Sequence, residues 1–203
     1  MLGTKASHVI EYSRTTMSGS LEREIKLRFA SVDEARGALI AIGASLLHPR
    51  RLQSDLILDF DDARLRDARS ALRIRLEPDQ ALVTFKGAPQ ASTMKLREEL
   101  ETAVGDGATA LTIFERLGFR VWFRAEKYRE EFQLNDVVIA LDDTPVGAFV
   151  EIEGSDEGIT ATAALLGRGP ADYVIESYRT LHAQRRLAEG RPFDDMLFRN
   201  TDQ

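Results

Sequence analysis

The sequence predicts an α+β fold in which helices pack outside an antiparallel sheet that curls into a barrel, and three observations lead to this prediction. Short β-type runs follow one another with turn residues between them. Most of these runs have one apolar face and one face rich in acidic and basic residues. Helical patterns that end at glycines lie between some of the runs. Helices would cover the apolar face, and closure of the sheet would turn the charged face inward as a polar tunnel.

The first predicted strand covers residues 21–29. Glu22, Glu24 and Lys26 stand on alternate residues of this strand and therefore share one face. An ordinary half-buried strand shows water a looser mixture of polar residues. Two carboxylates beside an ammonium group indicate a site that holds a metal ion next to an anion.

The remaining elements follow from periodicity and turn residues. A helix is predicted over 32–42, with a capping box of Ser31 and Glu34 at its start and Gly43 at its end. The other predicted elements, in chain order, are strands over 55–60, 72–76, 81–86 and 94–101, a helix over 108–117, strands over 121–134, 137–141 and 148–153, and helices over 159–166 and 172–188.

The chain is predicted to form one domain. Residues 1–19 have little periodicity and are expected to be a flexible leader. Residues 20–190 contain no linker rich in Gly, Pro or Ser, which favours a single domain. Residues 191–203 are expected to be a C-terminal tail.

Composition excludes several classes of protein. The chain has 203 residues, a hydrophobic fraction of 43% and a net charge of −6. Nucleic-acid and membrane-surface binders usually carry a basic excess, so neither kind of partner is expected. The absence of cysteine removes disulfides and thiolate chemistry and is compatible with a reducing cytoplasm, where we expect the protein. No apolar run approaches the length of a membrane span.

Charged faces recur on strands along the whole chain. Glu22 and Glu24 share a face of the first strand, and Glu151 and Glu153 share a face of the last. Like charges at neighbouring positions are unfavourable unless a cation lies between them, and hard divalent ions take oxygen ligands. The arginines and lysines on the other strands are natural phosphate partners. For any single strand, a solvated exterior face is the alternative interpretation.

Six blocks in chain order resemble the CYTH family, also called triphosphate tunnel metalloenzymes. The first block, Glu22-x-Glu24-x-Lys26, is similar to the family's opening signature. The other blocks are Leu72-Arg73-Ile74-Arg75, Thr84-Phe85-Lys86-Gly87, Arg97-Glu98-Glu99-Leu100-Glu101, Lys127-Tyr128-Arg129, and Leu141-Asp142 followed by Gly147-x-Phe149-Val150-Glu151-Ile152-Glu153. Ser177-Tyr178 in the last predicted helix also resembles the family. The resemblance covers about residues 21–178.

The resemblance implies an eight-stranded antiparallel barrel whose tunnel binds a triphosphate with Mg²⁺ or Mn²⁺. Known members include class IV adenylate cyclases, thiamine triphosphatases, inorganic triphosphatases and fungal RNA triphosphatases. The Thr-Phe-Lys-Gly and Arg-Glu-Glu-x-Glu blocks are most similar to the cyclase-type subgroup. The implied reaction is therefore conversion of ATP to cyclic AMP and pyrophosphate, with hydrolysis of inorganic or thiamine triphosphate as the alternative. Family members often dimerise, which makes a homodimer the implied assembly.

The resemblance also implies a role for each charged residue of the matching blocks. The implied metal ligands are Glu22, Glu24, Glu101, Asp142, Glu151 and Glu153. The implied triphosphate contacts are Lys26, Arg73, Arg75, Lys86, Arg97, Lys127 and Arg129. The implied catalytic residues are Lys26, Glu99 and Arg129, where Glu99 would complete the metal set or orient water.

Other sites have weaker support in the sequence. His8, His48 and His182 are widely spaced and match no metal-ligand pattern. Trp122 and Phe123 could border a base-binding mouth, but aromatic residues in a strand more often belong to the core. Two other classes of function stay open. One is a non-catalytic binder of polyphosphate or nucleotide, and the other is a structural β-protein with charged exterior faces.

Overall fold

Eight β-strands pair edge to edge and close into one antiparallel barrel. The computed structural model describes residues 20–198 of the chain. The strands are β1 Ser20–Phe29, β2 Ser45–Asp59, β3 Ala71–Leu76, β4 Ala81–Lys86, β5 Lys95–Val104, β6 Arg120–Leu134, β7 Val137–Thr144 and β8 Gly147–Glu153. The helices are α1 Val32–Ala41, α2 Arg64–Asp67, α3 Gly107–Arg116, α4 Asp156–Leu165 and α5 Tyr178–Ala188, with a 3-10 turn at Pro170–Asp172. The predicted fold class is confirmed.

The order of the strands brings the charged faces together. Around the barrel the order is β1-β5-β4-β3-β2-β6-β7-β8, and β8 pairs again with β1. Successive residues of a strand point to opposite sides of the sheet, so each strand turns one parity inward. The charged faces predicted on separate strands therefore all meet inside the barrel.

Apolar residues lie on the outer face of the barrel, beneath the helices. Helices α1 and α4 cover β1, β7 and β8 over a fully buried cluster that includes Ile25, Ile139 and Ile152. Helix α3 packs against β3 over a second cluster that includes Leu72 and Ile74. This packing reverses that of an ordinary small barrel, whose interior is filled by apolar side chains. None of the helices within residues 20–198 is both long and apolar enough to cross a membrane.

Strand β2 begins earlier than the sequence predicts. The predicted strand covers 55–60, whereas β2 starts at Ser45. The pairing of β2 with β6 shifts register on both sides of His48, in a segment that contains Pro49. Such bulges accommodate a proline and interrupt the alternation from which strands are predicted.

The last helix is shorter than predicted because the chain before it joins the sheet. The predicted helix covers 172–188, whereas α5 begins at Tyr178 behind the N-cap residue Ser177. Val174 and Lys26 exchange two backbone hydrogen bonds of 2.9 and 3.1 Å. Strand β1 no longer pairs with β5 at Lys26, so Val174 satisfies backbone groups on this edge that would otherwise lack partners.

Part of the predicted tail closes a second edge of the barrel. The Met196 N–H donates to the Arg124 carbonyl, and the Glu126 N–H donates to the Met196 carbonyl, each at 2.9 Å. The ladder between β6 and β7 does not extend to this part of β6, so Met196 takes the place of a strand. The predicted leader over 1–19, with His8, lies outside the described residues.

Asp59 anchors α2, a short helix that the sequence did not predict. The buried Asp59 carboxylate accepts hydrogen bonds from the backbone N–H groups of Phe60, Leu65 and Arg66 at 2.8–3.2 Å. The Arg66 side chain donates to it at 3.0 Å. Although burial disfavours the charged form, these hydrogen bonds hold the pKa of Asp59 below its ordinary value of 3.8.

We expect Asp59→Ala to lower the free energy of unfolding by about 1–3 kcal/mol at pH 7, since hydrogen bonds to a charged group contribute on that order. A lowered carboxyl pKa stabilises the fold above the pKa of the unfolded chain. The difference between wild type and variant should therefore shrink as the pH falls below 3.8. Urea unfolding at several pH values measures this difference. Asp62→Ala is the control because its ion pair with Arg64 is exposed, and an equal loss in both variants would contradict the anchor role.

Candidate active site

The barrel interior is a charged tunnel with a cavity volume of about 1140 Å³. Asp142 lies in the wall behind the lining of this cavity and has no exposed surface. All the other predicted site residues line the cavity: Glu22, Glu24, Lys26, Arg73, Arg75, Lys86, Arg97, Glu99, Glu101, Lys127, Arg129, Glu151 and Glu153. The structure therefore brings the predicted residues together around one space.

Four of the carboxylates influence one another's ionisation at one side of the tunnel. Glu24 and Glu153 are direct partners in the ladder between β1 and β8. Lys86 Nζ lies 2.8 Å from Glu22 and 2.6 Å from Glu99. Burial and the charge of Glu24 raise the pKa of Glu22 to about 8. Burial and the charges of Glu24 and Glu99 raise the pKa of Glu153 to about 6. We call these four carboxylates the acidic group (Glu22, Glu24, Glu99 and Glu153); within it, Glu22 and Glu153 resist ionisation in the absence of a further cation.

Lys26 is a buried cation between two carboxylates. Its Nζ lies 2.8 Å from Glu24 Oε1 and 3.3 Å from Glu151 Oε1. Burial opposes the charged form, but the two carboxylates raise the pKa of Lys26 above its ordinary value. Lys95 also contacts Glu24. Lys26 therefore stays protonated and links Glu24 of the acidic group to Glu151 on the neighbouring strand β8.

Asp142 is the centre of a buried network in the tunnel wall. Its carboxylate accepts hydrogen bonds from Lys127 Nζ at 2.8 Å and from two nitrogens of Arg129 at 2.7 and 2.6 Å. The Tyr178 hydroxyl donates to the same carboxylate at 2.9 Å. Arg129 also contacts Glu151. Both oxygens of Asp142 are engaged with donors, an arrangement that favours a role in positioning the two cations, while its role as a metal ligand stays a prediction.

The arginines of β3 form another part of the tunnel wall. Arg75 binds Asp55 through two hydrogen bonds of 2.7 and 2.9 Å. Arg73 donates to Thr84 Oγ1 at 3.0 Å and to Glu101 at 3.3 Å. The Thr84 hydroxyl donates to the same oxygen of Glu101 at 2.7 Å. Glu101 is therefore tied to the basic residues of β3, where its predicted role as a metal ligand stays a prediction.

Two tunnel arginines keep a buried donor unused. Arg73 Nε and Arg97 Nε are buried and have no hydrogen-bond partner among residues 20–198. Arg97 Nε lies 3.6 Å from Glu22, which is too long for a hydrogen bond. An unpaired buried donor costs about 1–3 kcal/mol, and phosphate oxygens are well suited to accept from guanidinium groups. An anion with several oxygen acceptors would therefore satisfy both donors.

Comparison with protein families agrees with this geometry. The family model of the CYTH domain matches residues 20–166. The chain belongs to the CYTH domain family. The matched range contains all eight strands of the barrel, while α5 and the segment around Met196 lie beyond it.

Individual proteins also resemble this CYTH chain. A protein of Methanocaldococcus jannaschii named "Putative adenylate cyclase" is 31% identical over 136 residues, which cover 66% of this chain and 77% of that protein. A solved structure described as a "putative adenylate cyclase" from Vibrio parahaemolyticus has a TM-score of 0.71 at 22% identity and covers 81% of this chain and 98% of that one. A Hippeastrum structure described as a "putative adenylyl cyclase" with a dominant triphosphatase activity has a TM-score of 0.59 at 20% identity, with coverages of 84% and 97%. The two solved structures show a shared fold.

The donor chemistry of the CYTH tunnel fits a hard divalent cation. The acidic group supplies only carboxylate oxygens, which are the ligands that Mg²⁺ and Mn²⁺ prefer. Burial and neighbouring carboxylates raise the pKa values of Glu22 and Glu153, so a bound cation would favour their ionised forms. As placed, no three Asp, Glu or His side chains within the described residues form a ready-made metal-ligand group. Instead, lysines lie against the carboxylates, as the contacts of Lys86 and Lys26 show.

The sequence prediction assigned no site role to four residues of the CYTH tunnel. Asp55 pairs with Arg75, Lys95 with Glu24, Thr84 with Glu101, and Tyr178 with Asp142. Lys95 has the same strand parity as Arg97, and this signal was sufficient to place it in the tunnel. The role of Asp55 depends on the pairing of β2 with β3, so it has no local signal. Tyr178 belongs to the Ser177-Tyr178 pair that resembles the family, but its contact with Asp142 depends on the docking of α5.

Proposed function

We propose that this CYTH protein is a divalent-metal-dependent enzyme that binds a triphosphate in its tunnel and cleaves or cyclises it. The leading reaction is that of an adenylate cyclase, in which ATP gives cyclic AMP and pyrophosphate. The observation that carries the proposal is the unused buried donors of Arg73 and Arg97 beside a crowded acidic group. A basic tunnel alone would bind polyphosphate, but a passive anion binder has no need of carboxylates in its pocket. The name of the Methanocaldococcus jannaschii relative supports the same reaction.

Under this proposal, the basic residues of the tunnel hold the phosphate chain. Arginine side chains grip phosphate oxygens in a bidentate manner, and lysines contribute compact charge. Asp142 and Asp55 would fix the directions of Arg129 and Arg75, so that little side-chain entropy is lost when the substrate binds. The residues assigned to the triphosphate are Lys26, Arg73, Arg75, Lys86, Arg97, Lys127 and Arg129.

The acidic group would hold Mg²⁺ or Mn²⁺, together with Glu151. When bound, such an ion neutralises charge on the phosphates and lowers the pKa of an attacking hydroxyl or water. Glu99 lies 2.6 Å from Lys86 and could accept a proton from the attacking oxygen. Burial opposes its ionisation, but the contacts with Glu22 and Lys86 lower the pKa of Glu99 to about 2, so it is ionised at neutral pH.

Two reactions are compatible with the same tunnel. In a cyclase, the ribose 3′-hydroxyl forms a bond to the α-phosphorus, and pyrophosphate leaves. In a triphosphatase, a water oxygen forms a bond to the terminal phosphorus, the bond from that phosphorus to the bridging oxygen breaks, and the diphosphate part leaves, so that inorganic phosphate is released. The Hippeastrum structure is described with both a cyclase name and a triphosphatase activity, which makes hydrolysis of inorganic or thiamine triphosphate the second candidate. The outcome depends on which phosphorus is held next to the attacking oxygen.

A product assay tests the proposed function. Purified protein is incubated with Mg²⁺ or Mn²⁺ and one of ATP, inorganic triphosphate or thiamine triphosphate. We expect cyclic AMP and pyrophosphate from ATP if the enzyme is a cyclase, and phosphate from the shorter substrates if it is a hydrolase. Chelation of the metal should abolish either activity. Tight binding with no turnover of any substrate would refute the enzymatic proposal and leave a non-catalytic binder.

The tunnel should take up a proton when it binds a triphosphate. Burial and the charge of Arg129 lower the pKa of Lys127 to about 8. A bound triphosphate favours the charged form and raises this pKa. Binding at pH 8 should therefore add about half a proton at Lys127, and affinity should fall as the pH rises above 8.

Calorimetry in buffers with different ionisation enthalpies measures this proton uptake. Lys127→Met should reduce the uptake by about half a proton, because it removes the group that titrates. A binding enthalpy that does not depend on the buffer at pH 8 would contradict the assignment of Lys127 to the triphosphate.

A further inference from the structure

One end of the tunnel contains a polar cluster to which the proposed function gives no role. It is formed by Arg51 and Gln53 on β2 and by Glu77 in the turn between β3 and β4. Arg51 donates to Glu77 at 3.2 Å and to Glu131 at 2.6 Å. Gln53 is 1% exposed, and its amide nitrogen donates to Glu77. Arg51 has the same strand parity as Gln53, in a part of β2 that pairs regularly with β6, and both therefore face the same cavity.

Arg51 and Gln53 each keep one buried polar atom without a partner. Gln53 Oε1, an acceptor, and Arg51 Nη1, a donor, form no hydrogen bond with any of residues 20–198. The orientation of the Gln53 amide is fixed by chemistry, because an ionised Glu77 can accept only from the nitrogen. Burial opposes ionisation of Glu77, but hydrogen bonds from Gln80, Gln53 and Arg51 hold its pKa below the ordinary value. An unpaired acceptor and an unpaired donor each cost about 1–3 kcal/mol, which a ligand could recover.

These two side chains adjoin the residues assigned to the phosphates. In the ladder between β2 and β6, Gln53 lies opposite Lys127 and Arg51 opposite Arg129. Directly opposite residues have Cβ atoms about 4.5–5.5 Å apart. A group attached to a triphosphate at Lys127 and Arg129 can therefore extend towards Arg51 and Gln53 within the same cavity.

We propose that Arg51 and Gln53 bind the edge of a nitrogen heterocycle that presents a hydrogen-bond donor beside an acceptor, as an adenine base does. This inference rests on the proposed function and adds to it the residues that would select a triphosphate carrying such a base over inorganic triphosphate. Gln53 Oε1 accepts from the amino group of the base, and Arg51 Nη1 donates to a ring nitrogen.

The charges around the cluster exclude other ligands. A further phosphate offers only acceptors and would leave Gln53 Oε1 unpaired. It would also approach Glu77 and Glu131, which face the same cavity. A metal ion cannot accept a hydrogen bond and would leave the Arg51 donor unpaired. A neutral ring that both donates and accepts satisfies both unpaired atoms without adding charge.

The test compares affinities, so that it does not depend on turnover. Methylene-bridged analogues of ATP and of inorganic triphosphate are titrated calorimetrically into the full chain with Mg²⁺. Wild type should bind the ATP analogue more tightly. Gln53→Met should reduce that preference by about fivefold and leave the affinity for the inorganic analogue unchanged, since one uncharged hydrogen bond contributes on the order of 1 kcal/mol.

Gln80→Leu is the matched control. Gln80 also donates to Glu77, at 2.8 Å, so this variant removes a comparable hydrogen bond and leaves the Gln53 acceptor in place. Its preference for the ATP analogue should equal that of wild type. Thermal melting verifies that both variants fold.

Three results would overturn the inference. In the first, wild type binds the inorganic analogue at least as tightly as the ATP analogue. In the second, Gln53→Met keeps the wild-type preference for the ATP analogue. In the third, Gln80→Leu loses as much of that preference as Gln53→Met does. The first two results would mean that water alone satisfies Gln53 Oε1 and Arg51 Nη1. Absence of turnover with every substrate would refute the proposed function, while the ratio of affinities would still decide this inference. Because thiamine carries an aminopyrimidine with a similar edge, thiamine triphosphate is titrated as a separate arm to distinguish the two sources of the ring.

Discussion

Glu24→Gln should reduce metal-dependent turnover about a thousandfold and leave the barrel folded. Glu24 belongs to the acidic group proposed to hold the metal ion, and its negative charge disfavours ionisation of Glu22 and Glu153. A metal ion contributes several kcal/mol of transition-state stabilisation, and each 1.36 kcal/mol is a factor of ten in rate. Replacement of the carboxylate by an amide removes a charged ligand with almost no change in shape.

The barrel should tolerate this substitution for reasons visible in the contacts of Glu24. Lys26 keeps Glu151 as a partner at 3.3 Å. Burial already lowers the pKa of Lys95 to about 8, so Lys95 can lose its proton at little cost when the carboxylate is removed. The variant therefore does not leave Lys26 and Lys95 as two uncompensated buried charges.

Steady-state rates at saturating metal, with circular dichroism to verify folding, measure the effect of Glu24→Gln. Glu98→Gln is the matched control, because Glu98 lies on β5 beside the tunnel residues Arg97 and Glu99 but is exposed. It should retain wild-type activity. Full activity in Glu24→Gln would remove Glu24 from the site.

Asp142→Asn should lower the free energy of unfolding by about 3–5 kcal/mol, the usual cost of removing one partner from a buried ion pair. The carboxylate of Asp142 is fully buried and accepts from Lys127, Arg129 and Tyr178. Its loss leaves the charge of Lys127 without its closest partner. Triphosphate affinity should fall as well, because Lys127 and Arg129 lose the group that orients them.

Urea unfolding in metal-free buffer measures the stability of this variant. Asp143→Asn is the control, since Asp143 is the next residue and pairs with Arg50 in a partly exposed ion pair. The ion pair of Asp143 with Arg50 should contribute less than about 1 kcal/mol to the free energy of unfolding. If Asp142→Asn kept its stability in metal-free buffer but lost metal affinity, Asp142 would be a metal ligand, as the sequence predicts, and its positioning role would be wrong.

The two variants separate the two kinds of carboxylate in the tunnel. Glu24 lies among other carboxylates, two of which have raised pKa values, whereas Asp142 is enclosed by donors. The sequence assigns both to the metal because both belong to blocks of the family pattern. Only the neighbours of each side chain distinguish them.

Much of the fold was predictable because its strands have simple alternation. Strand β4 has the predicted bounds of 81–86. Helix α1 begins at Val32, directly after the predicted cap residue Ser31. In these elements local preference and tertiary environment agree. The first half of β2 and the segment before α5 were missed because bulges, a proline and an isolated backbone pairing replace alternation there.

The candidate site was likewise predictable in part from the sequence and in part only from the tertiary structure. Charged residues at alternate positions of a strand necessarily share a face, so Glu22, Glu24 and Lys26 were predictable as a group from sequence alone. The sequence also determined the balance of charges and the family, because the matching blocks are local and occur in order. Which acid pairs with which base was decided only by closure of the barrel. Closure sets β1 beside β8, the docking of α5 brings Tyr178 to Asp142, and the pairing of β2 with β3 brings Gln53 to Glu77. The energy of a buried charge depends on neighbours within a few ångströms, and these neighbours come from distant parts of the chain.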